Sequence, residues 1–130
     1  MSEIDFDPDV PITLGKNEYK LRFTIPALRK AEIRLGQING LTKPYPFNKW
    51  IMNMQTDPLN MSYTEIVAVL WAGLSCNHPK LLEDNVANLF SLRDFVVIAG
   101  KIREAFEKTL PQVSESEPQR AAAGIEEAKN

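Results

Sequence analysis

Ser75, Cys76 and His78 stand close together in the chain, and a hydroxyl or thiol beside an imidazole is the pairing that acyl-transfer chemistry uses. The spacing argues against that chemistry here. His78 is the sole histidine, so any triad must use it, and Ser75 is too near in sequence to oppose it across a site. Gly73-Leu74-Ser75-Cys76-Asn77 departs from the G-x-S-x-G nucleophile elbow at its last position and ends a helix instead of joining a strand to one. Cys76 and His78 would supply two metal ligands, and no second Cys/His pair exists to complete a zinc site. Glu83 and Asp84 are adjacent, so on a helix their carboxylates diverge; they suit a helix N-terminus better than an acid/base couple. There is no G-x-x-x-x-G-K-[ST] loop and no G-x-G-x-x-G. The expectation is a protein that is not an enzyme, with no catalytic, metal-binding or cofactor-binding residue. His78 is read as a helix C-cap whose imidazole meets the last carbonyls, and Cys76 as a small buried apolar residue.

The elements around these residues follow from periodicity. Val10, Ile12 and Leu14 alternate with polar positions or Pro11, and Tyr19, Leu21, Phe23 and Ile25 alternate with Lys20, Arg22 and Thr24. That is a β-hairpin over 10–25 with one apolar face and a four-residue turn, Gly15-Lys16-Asn17-Glu18. Pro11 lacks an N–H, which makes its strand an edge. Pro26 suits a helix start, and Leu28, Ala31 and Leu35 continue a stripe that Gly36 is expected to stop, giving a helix over 26–35. Phe47, Trp50, Ile51 and Met54 mark a second helix, 47–55. Ser62 and Glu65 form a capping box for a third, 63–76. Its stripe is Ile66, Val69, Leu70, Gly73 and Leu74, with Val67 and Trp71 off it; apolar nearly all round, it is read as central. A fourth helix spans 83–90. The fifth, 92–110, starts at the weaker Ser91…Asp94 cap and carries Phe95, Ile98, Ala99, Ile102, Phe106 and Leu110 on one face. The fold class is therefore α+β, mostly α: an N-terminal hairpin packed on about five short helices, one globular domain over 10–111, between a flexible acidic arm (1–9) and a disordered tail (112–130).

Bulk properties narrow the class. The 130 residues, 44% of them hydrophobic, suit one domain and one core. The longest apolar run, Ile66–Leu74, is far shorter than the ~20 residues a membrane-spanning helix needs. One cysteine forbids an internal disulfide and fits a reducing, cytoplasmic setting. The N-terminus is acidic with no apolar core for export, so the Asn60-Met61-Ser62 sequon is not expected to meet glycosylation machinery. Net charge is −2, but residues 1–9 carry −4 and 114–130 carry −2, leaving +4 between them. Those bases are scattered, which is poor support for nucleic-acid binding. Helices 63–76 and 83–90 outline a helix-turn-helix, yet Asn85 and Asn88 share the would-be recognition helix with Glu83 and Asp84, which repel phosphate. Trp50, Met52, Met54 and Met61 read either as core or as an adaptable partner-facing patch.

Several segments taken together carry a resemblance. They are Tyr19-Lys20-Leu21-Arg22-Phe23-Thr24, Pro26-Ala27-Leu28 with Glu32…Leu35-Gly36, and Leu70-Trp71-Ala72-Gly73-Leu74 before a His-Pro turn and a short helix. Over roughly residues 10–110 this pattern resembles the tail assembly chaperones of long-tailed bacteriophages and gene transfer agents. The resemblance implies a non-virion factor in the host cytoplasm that keeps the tape measure protein soluble and helps recruit tail tube subunits. A holdase of that kind needs exposed apolar surface for a helical client. The faces of helices 47–54 and 92–110 are expected to provide it, with Phe47, Trp50, Ile51, Met54 and Phe106 as partner-binding residues. A virion-associated tail completion protein and a small DNA-binding regulator are the competing readings. The hairpin edge leaves a homo-oligomer open.

Overall fold

The alternation of Val10, Ile12 and Leu14 becomes strand β1 (Val10–Leu14) in the computed structural model, which describes residues 8–57 and 60–110. β1 pairs antiparallel with β2 (Asn17–Leu21), Val10 opposite Leu21 and Leu14 opposite Asn17. This register leaves a two-residue loop, Gly15-Lys16, where a four-residue turn was expected. Gly15 sits at φ +66°, a left-handed conformation that glycine adopts without steric cost. Val10, Ile12, Leu14 and Leu21 are buried, and Phe23 prolongs that face beyond the strand. Ile25 does not join it. Pro26 cannot donate to a ladder but is pre-set for a helix, so Ile25 opens α1 (Ile25–Ile38) and is exposed. Thr24 caps α1, its Oγ1 accepting the Ala27 N–H at 3.2 Å.

Gly36 does not end this helix. It lies within α1, buried, with its Cα side against the Lys43 carbonyl. The stop comes at Gly40, φ +71°. The Gly40 N–H donates to Gln37 O (3.1 Å) and the Leu41 N–H to Gly36 O (2.8 Å), a Schellman motif. α2 (Phe47–Thr56) follows, then α3 (Tyr63–Leu74). Half of the Ser62 capping box holds: Ser62 Oγ accepts the Glu65 N–H at 3.3 Å. The Glu65 carboxylate turns elsewhere, accepting from Trp50 Nε1 (3.0 Å) and Asn39 Nδ2 (2.9 Å), and so ties α2 and the end of α1 to α3. α4 is five residues, Glu83–Ala87, shorter than expected, because Asn88 ends it by donating its side-chain amide to Asp84 O (3.2 Å). Residues Leu92–Asp94 form a single 3-10 turn and lead into α5 (Phe95–Thr109).

The result is α+β and mostly helical, with α3 at the centre between α1, β2, α4 and α5. Ile66, Val69, Leu70 and Leu74 are fully buried, as the all-round apolar pattern anticipates.

The turn after α3 closes the outer edge of β2. Lys20 stands opposite Pro11 in the register, and its backbone is paired from outside the hairpin. Its N–H donates to His78 Nε2 (3.0 Å) and its carbonyl accepts from Asn77 Nδ2 (3.3 Å), while the Arg22 N–H donates to Gly73 O (2.8 Å). His78 therefore does not cap the helix with its ring. An orphan strand N–H demands an acceptor more strongly than the helix end demands a donor already supplied by the His78 backbone N–H on Leu74 O (2.8 Å). The imidazole also stands edge-on to Tyr19, centroids 5.1 Å apart. Cys76, in the same turn, is exposed and not part of the core.

Residues 1–7 and 111–130 lie outside the described residues, and with them most of the expected arm and the whole expected tail. Asp9 does not belong to a free arm. Its carboxylate accepts from Arg22 Nε at 2.8 Å and from Asn77 Nδ2 at 3.0 Å. Burial pushes the Asp9 carboxyl up, but the Asn77 and Arg22 hydrogen bonds and the charges of Arg22 and Lys20 outweigh it and hold the group below its ordinary range. A carboxyl depressed by folding stabilises the fold fully above its unfolded pKa of about 3.9, and that contribution disappears as pH falls through the lower folded value. Asp9→Asn is accordingly expected to lower stability at neutral pH and to flatten the acid limb of the urea midpoint against pH. Parallel limbs for parent and variant would remove Asp9 as the source.

Candidate functional site

The five residues expected to face a partner face inward. Phe47, Trp50, Ile51, Met54 and Phe106 are 1–8% exposed. Phe47 is the hub: its ring centroid lies 5.3 Å from Phe23, 5.7 Å from Trp50 and 5.0 Å from Phe106, so one aromatic cluster joins the hairpin exit, α2 and α5. The Phe47 N–H also donates to Glu32 Oε2 (2.7 Å), which seats the start of α2 on α1. Their three- and four-residue spacing was read correctly as one face, but that face is spent on the protein's own core. Of the residues singled out on α2, Met52 alone is exposed.

The apolar surface that solvent does reach lies elsewhere. Tyr63, at the start of α3, and Leu92, in the 3-10 turn, are 59% and 68% exposed. Between them runs a groove of about 600 Å³ whose floor includes Val67 and Phe90. This is within the size range of sites that take a few large side chains. Tyr63 is not loose: its ring stands edge-on to buried Phe95, centroids 5.5 Å apart. The opposite wall carries Arg34, Glu83 and Asp84. Arg34 Nε and Glu83 Oε1 pair at 2.9 Å across α1 and α4. A half-buried pair of this kind, still screened by solvent, contributes on the order of 1 kcal/mol, so its main consequence is to fix the wall. Asp84 has no counter-charge among the described residues, which leaves the rim net acidic. Val96 and Val97, on the first turn of α5, add exposed apolar surface beyond Leu92. The signal for this groove in the sequence was Val67, the residue that falls off the buried stripe of α3.

The residues that opened the chemical reading do not assemble a reactive pair. His78 Nε2 is occupied by the Lys20 N–H, and Ser75 Oγ donates to Ala72 O (2.8 Å) while accepting from Lys30 Nζ (3.2 Å). Glu83 is held by Arg34. Among the described residues no cluster of three His, Cys, Asp or Glu side chains is placed to hold a metal ion. The helix-turn-helix outline loses its recognition helix: α4 is one short turn and a half, and Asn85 and Asn88 bond to Leu82 N–H and Asp84 O. No helix among the described residues is long and apolar enough to cross a membrane.

A polar recess of about 410 Å³ lies between α2 and α3, lined by Asn39, Tyr45, Asn53 and Glu65 among others. Both Glu65 oxygens are already engaged, which leaves it a structural junction.

No family model, no curated protein and no solved structure matches this chain.

Proposed function

We propose that this protein is a tail assembly chaperone of the long-tailed bacteriophage type, which holds an apolar helical segment of the tape measure protein before the tail polymerises. The observation that carries the reading is the open groove between Tyr63 and Leu92, with Val67 and Phe90 on its floor. Large apolar side chains left in a concave exposed position mark binding surfaces more often than chance exposure does. An amphipathic helix laid there would bury its apolar face and could set a basic residue against Asp84. The pattern of Tyr19–Thr24, Pro26–Leu28 and Leu70–Leu74 supports the same assignment by resemblance. The client site thus moves from the faces of 47–54 and 92–110 to the α3–α4 groove and the 3-10 turn.

Co-expression with the tape measure protein of the same genome tests this. The expected result is a soluble client that co-purifies with the chaperone. Leu92→Lys is expected to abolish that rescue while leaving the melting temperature of the chaperone within a few degrees, since surface substitutions usually stay within about 0.5 kcal/mol. An insoluble client, with the protein recovered instead in finished particles, would replace this reading with a structural tail role.

A further inference from the structure

The groove at Tyr63 and Leu92 does not end at Arg34. On the other side of that residue a second groove, a recess of about 440 Å³, opens along the outer face of α1. Pro26, Ile33 and Trp71 form its apolar surface, with Arg29 and Lys30 beside them. Arg34 lines both. One stripe of α3 runs beneath both as well: Tyr63 and Val67 in the first, then Trp71 in the second, one residue per turn over about 12 Å. α1 lies antiparallel to α3, Lys30 bonded to Ser75 at one end and Asn39 to Glu65 at the other. The two recesses are therefore one trough on α1, α3 and α4, and the Arg34–Glu83 pair sits where they meet.

The trough has unlike ends. Beside Trp71, Arg29 makes no ion pair among the described residues. Lys30 Nζ is engaged with neutral groups, the Trp71 ring at 4.9 Å and Ser75 Oγ at 3.2 Å. No carboxylate lines this end. Past Arg34, whose charge Glu83 answers, the uncompensated group is Asp84. Arg93, the next base along the 3-10 turn, lines neither recess. The walls are helices and turns, so an extended segment would find no strand edge for its main chain, whereas a helix satisfies its own. Nucleic acid would answer Arg29 and Lys30 but would meet Asp84 and gain nothing from exposed Ile33 and Leu92.

We propose that the trough takes an amphipathic helix of a partner chain in one orientation. Its apolar face lies along Tyr63, Val67 and Trp71, its acidic side chains meet Arg29 and Lys30, and a basic side chain meets Asp84. This deepens the chaperone reading and rests on it for the identity of the partner, a tape measure segment whose apolar stripe is flanked by acid at one end and base at the other. Apolar contact supplies the affinity. The charges select which segments of a long helical client are held, and which way round.

A synthetic amphipathic peptide of about 15 residues, roughly four turns, tests this on the full chain. It carries a leucine stripe, glutamates toward one end and lysines toward the other. A nitroxide is attached at either end through a thioether, so that exposed Cys76 cannot exchange with it. The label at the glutamate end is expected to broaden the amide signals of Arg29–Ile33, and the label at the lysine end those of Asp84–Ala87. In an Arg29→Glu, Lys30→Glu, Asp84→Lys protein the two patterns should exchange. All three residues are exposed, and unchanged shifts for core amides such as Trp50 report that the variant is folded. A peptide of the same composition with glutamate and lysine interleaved should bind about tenfold more weakly, as three solvent-screened contacts allow. Absent binding, the same pattern from both labels, or a pattern that does not exchange in the variant overturns the proposal. So does a dimer of this chain that fills the trough in place of the peptide. Co-expression separates this from the reading it rests on. A rescued client with no fixed peptide orientation removes the orientation alone, and a fixed orientation with an insoluble client removes the chaperone identity alone.

Discussion

Phe47→Ala will destabilise the fold by about 3–5 kcal/mol, the range for truncating a buried aromatic. Phe47 is 3% exposed and its ring meets Phe23, Trp50 and Phe106, so its removal opens a cavity bounded by three large rings anchored on three different elements. Such rings cannot collapse inward together, which places the cost toward the upper end. For a domain of this size each kcal/mol moves the melting temperature by roughly 4–8 °C, so the variant will melt far below the parent or fail to accumulate folded. Phe47→Leu retains most of the volume and will cost much less. If Phe47→Ala unfolded with the parent, α2 would not be core, and the face at Phe47, Trp50, Ile51 and Met54 would return as a partner surface.

That contest shows where reading the chain stopped. A stripe at three- and four-residue spacing states that a helix has an apolar face, but not whether the covering surface is its own core or another molecule. Both solutions satisfy the same burial. The hairpin, the capping residue Ser62 and the central place of α3 were legible because each depends on local chemistry: alternation, an N-cap hydroxyl, an all-round apolar helix. The groove at Tyr63 and Leu92 was not, because it is built by residues 29 positions apart whose exposure follows from how α3, α4 and the 3-10 turn meet. Val67 and Trp71 were the available clues. Both fall off the buried stripe of an otherwise apolar helix, and each lines one of the two exposed grooves.

His78 was misread for a related reason. Its position after α3 suggests a cap, but its partner is the Lys20 N–H, 58 residues away. The edge of β2 needs an acceptor at that point because Lys20 and Pro11 form a non-hydrogen-bonded pair of the ladder, which turns the Lys20 N–H and carbonyl away from β1, and a sequence window around the helix end contains none of that information. Closing this edge with side chains, while Pro11 removes a donor from the other strand, also makes strand addition an unfavourable route to self-association.

The glycines of α1 and α5 give the sharpest test of long-range packing against local propensity. By propensity alone, Gly→Ala inside a helix stabilises by about 1 kcal/mol. At Gly100, where an added Cβ meets nothing within 4 Å, that gain is expected in full. At Gly36 the added methyl would run into the Lys43 carbonyl oxygen, with the Pro44 Cα also only 3.2 Å away. These are backbone atoms, and the loop that carries them is held on both sides. The Leu41 N–H bonds Gly36 O at 2.8 Å, and the Tyr45 N–H bonds Glu32 O at 3.0 Å. The loop cannot swing aside without breaking one of these, so overpacking, about 1–3 kcal/mol, outweighs the propensity gain. Gly100→Ala should therefore raise the denaturation midpoint and Gly36→Ala lower it. If both raised it, the 41–45 loop would not pack on α1, and the glycine expected to stop the helix would be an ordinary helical residue.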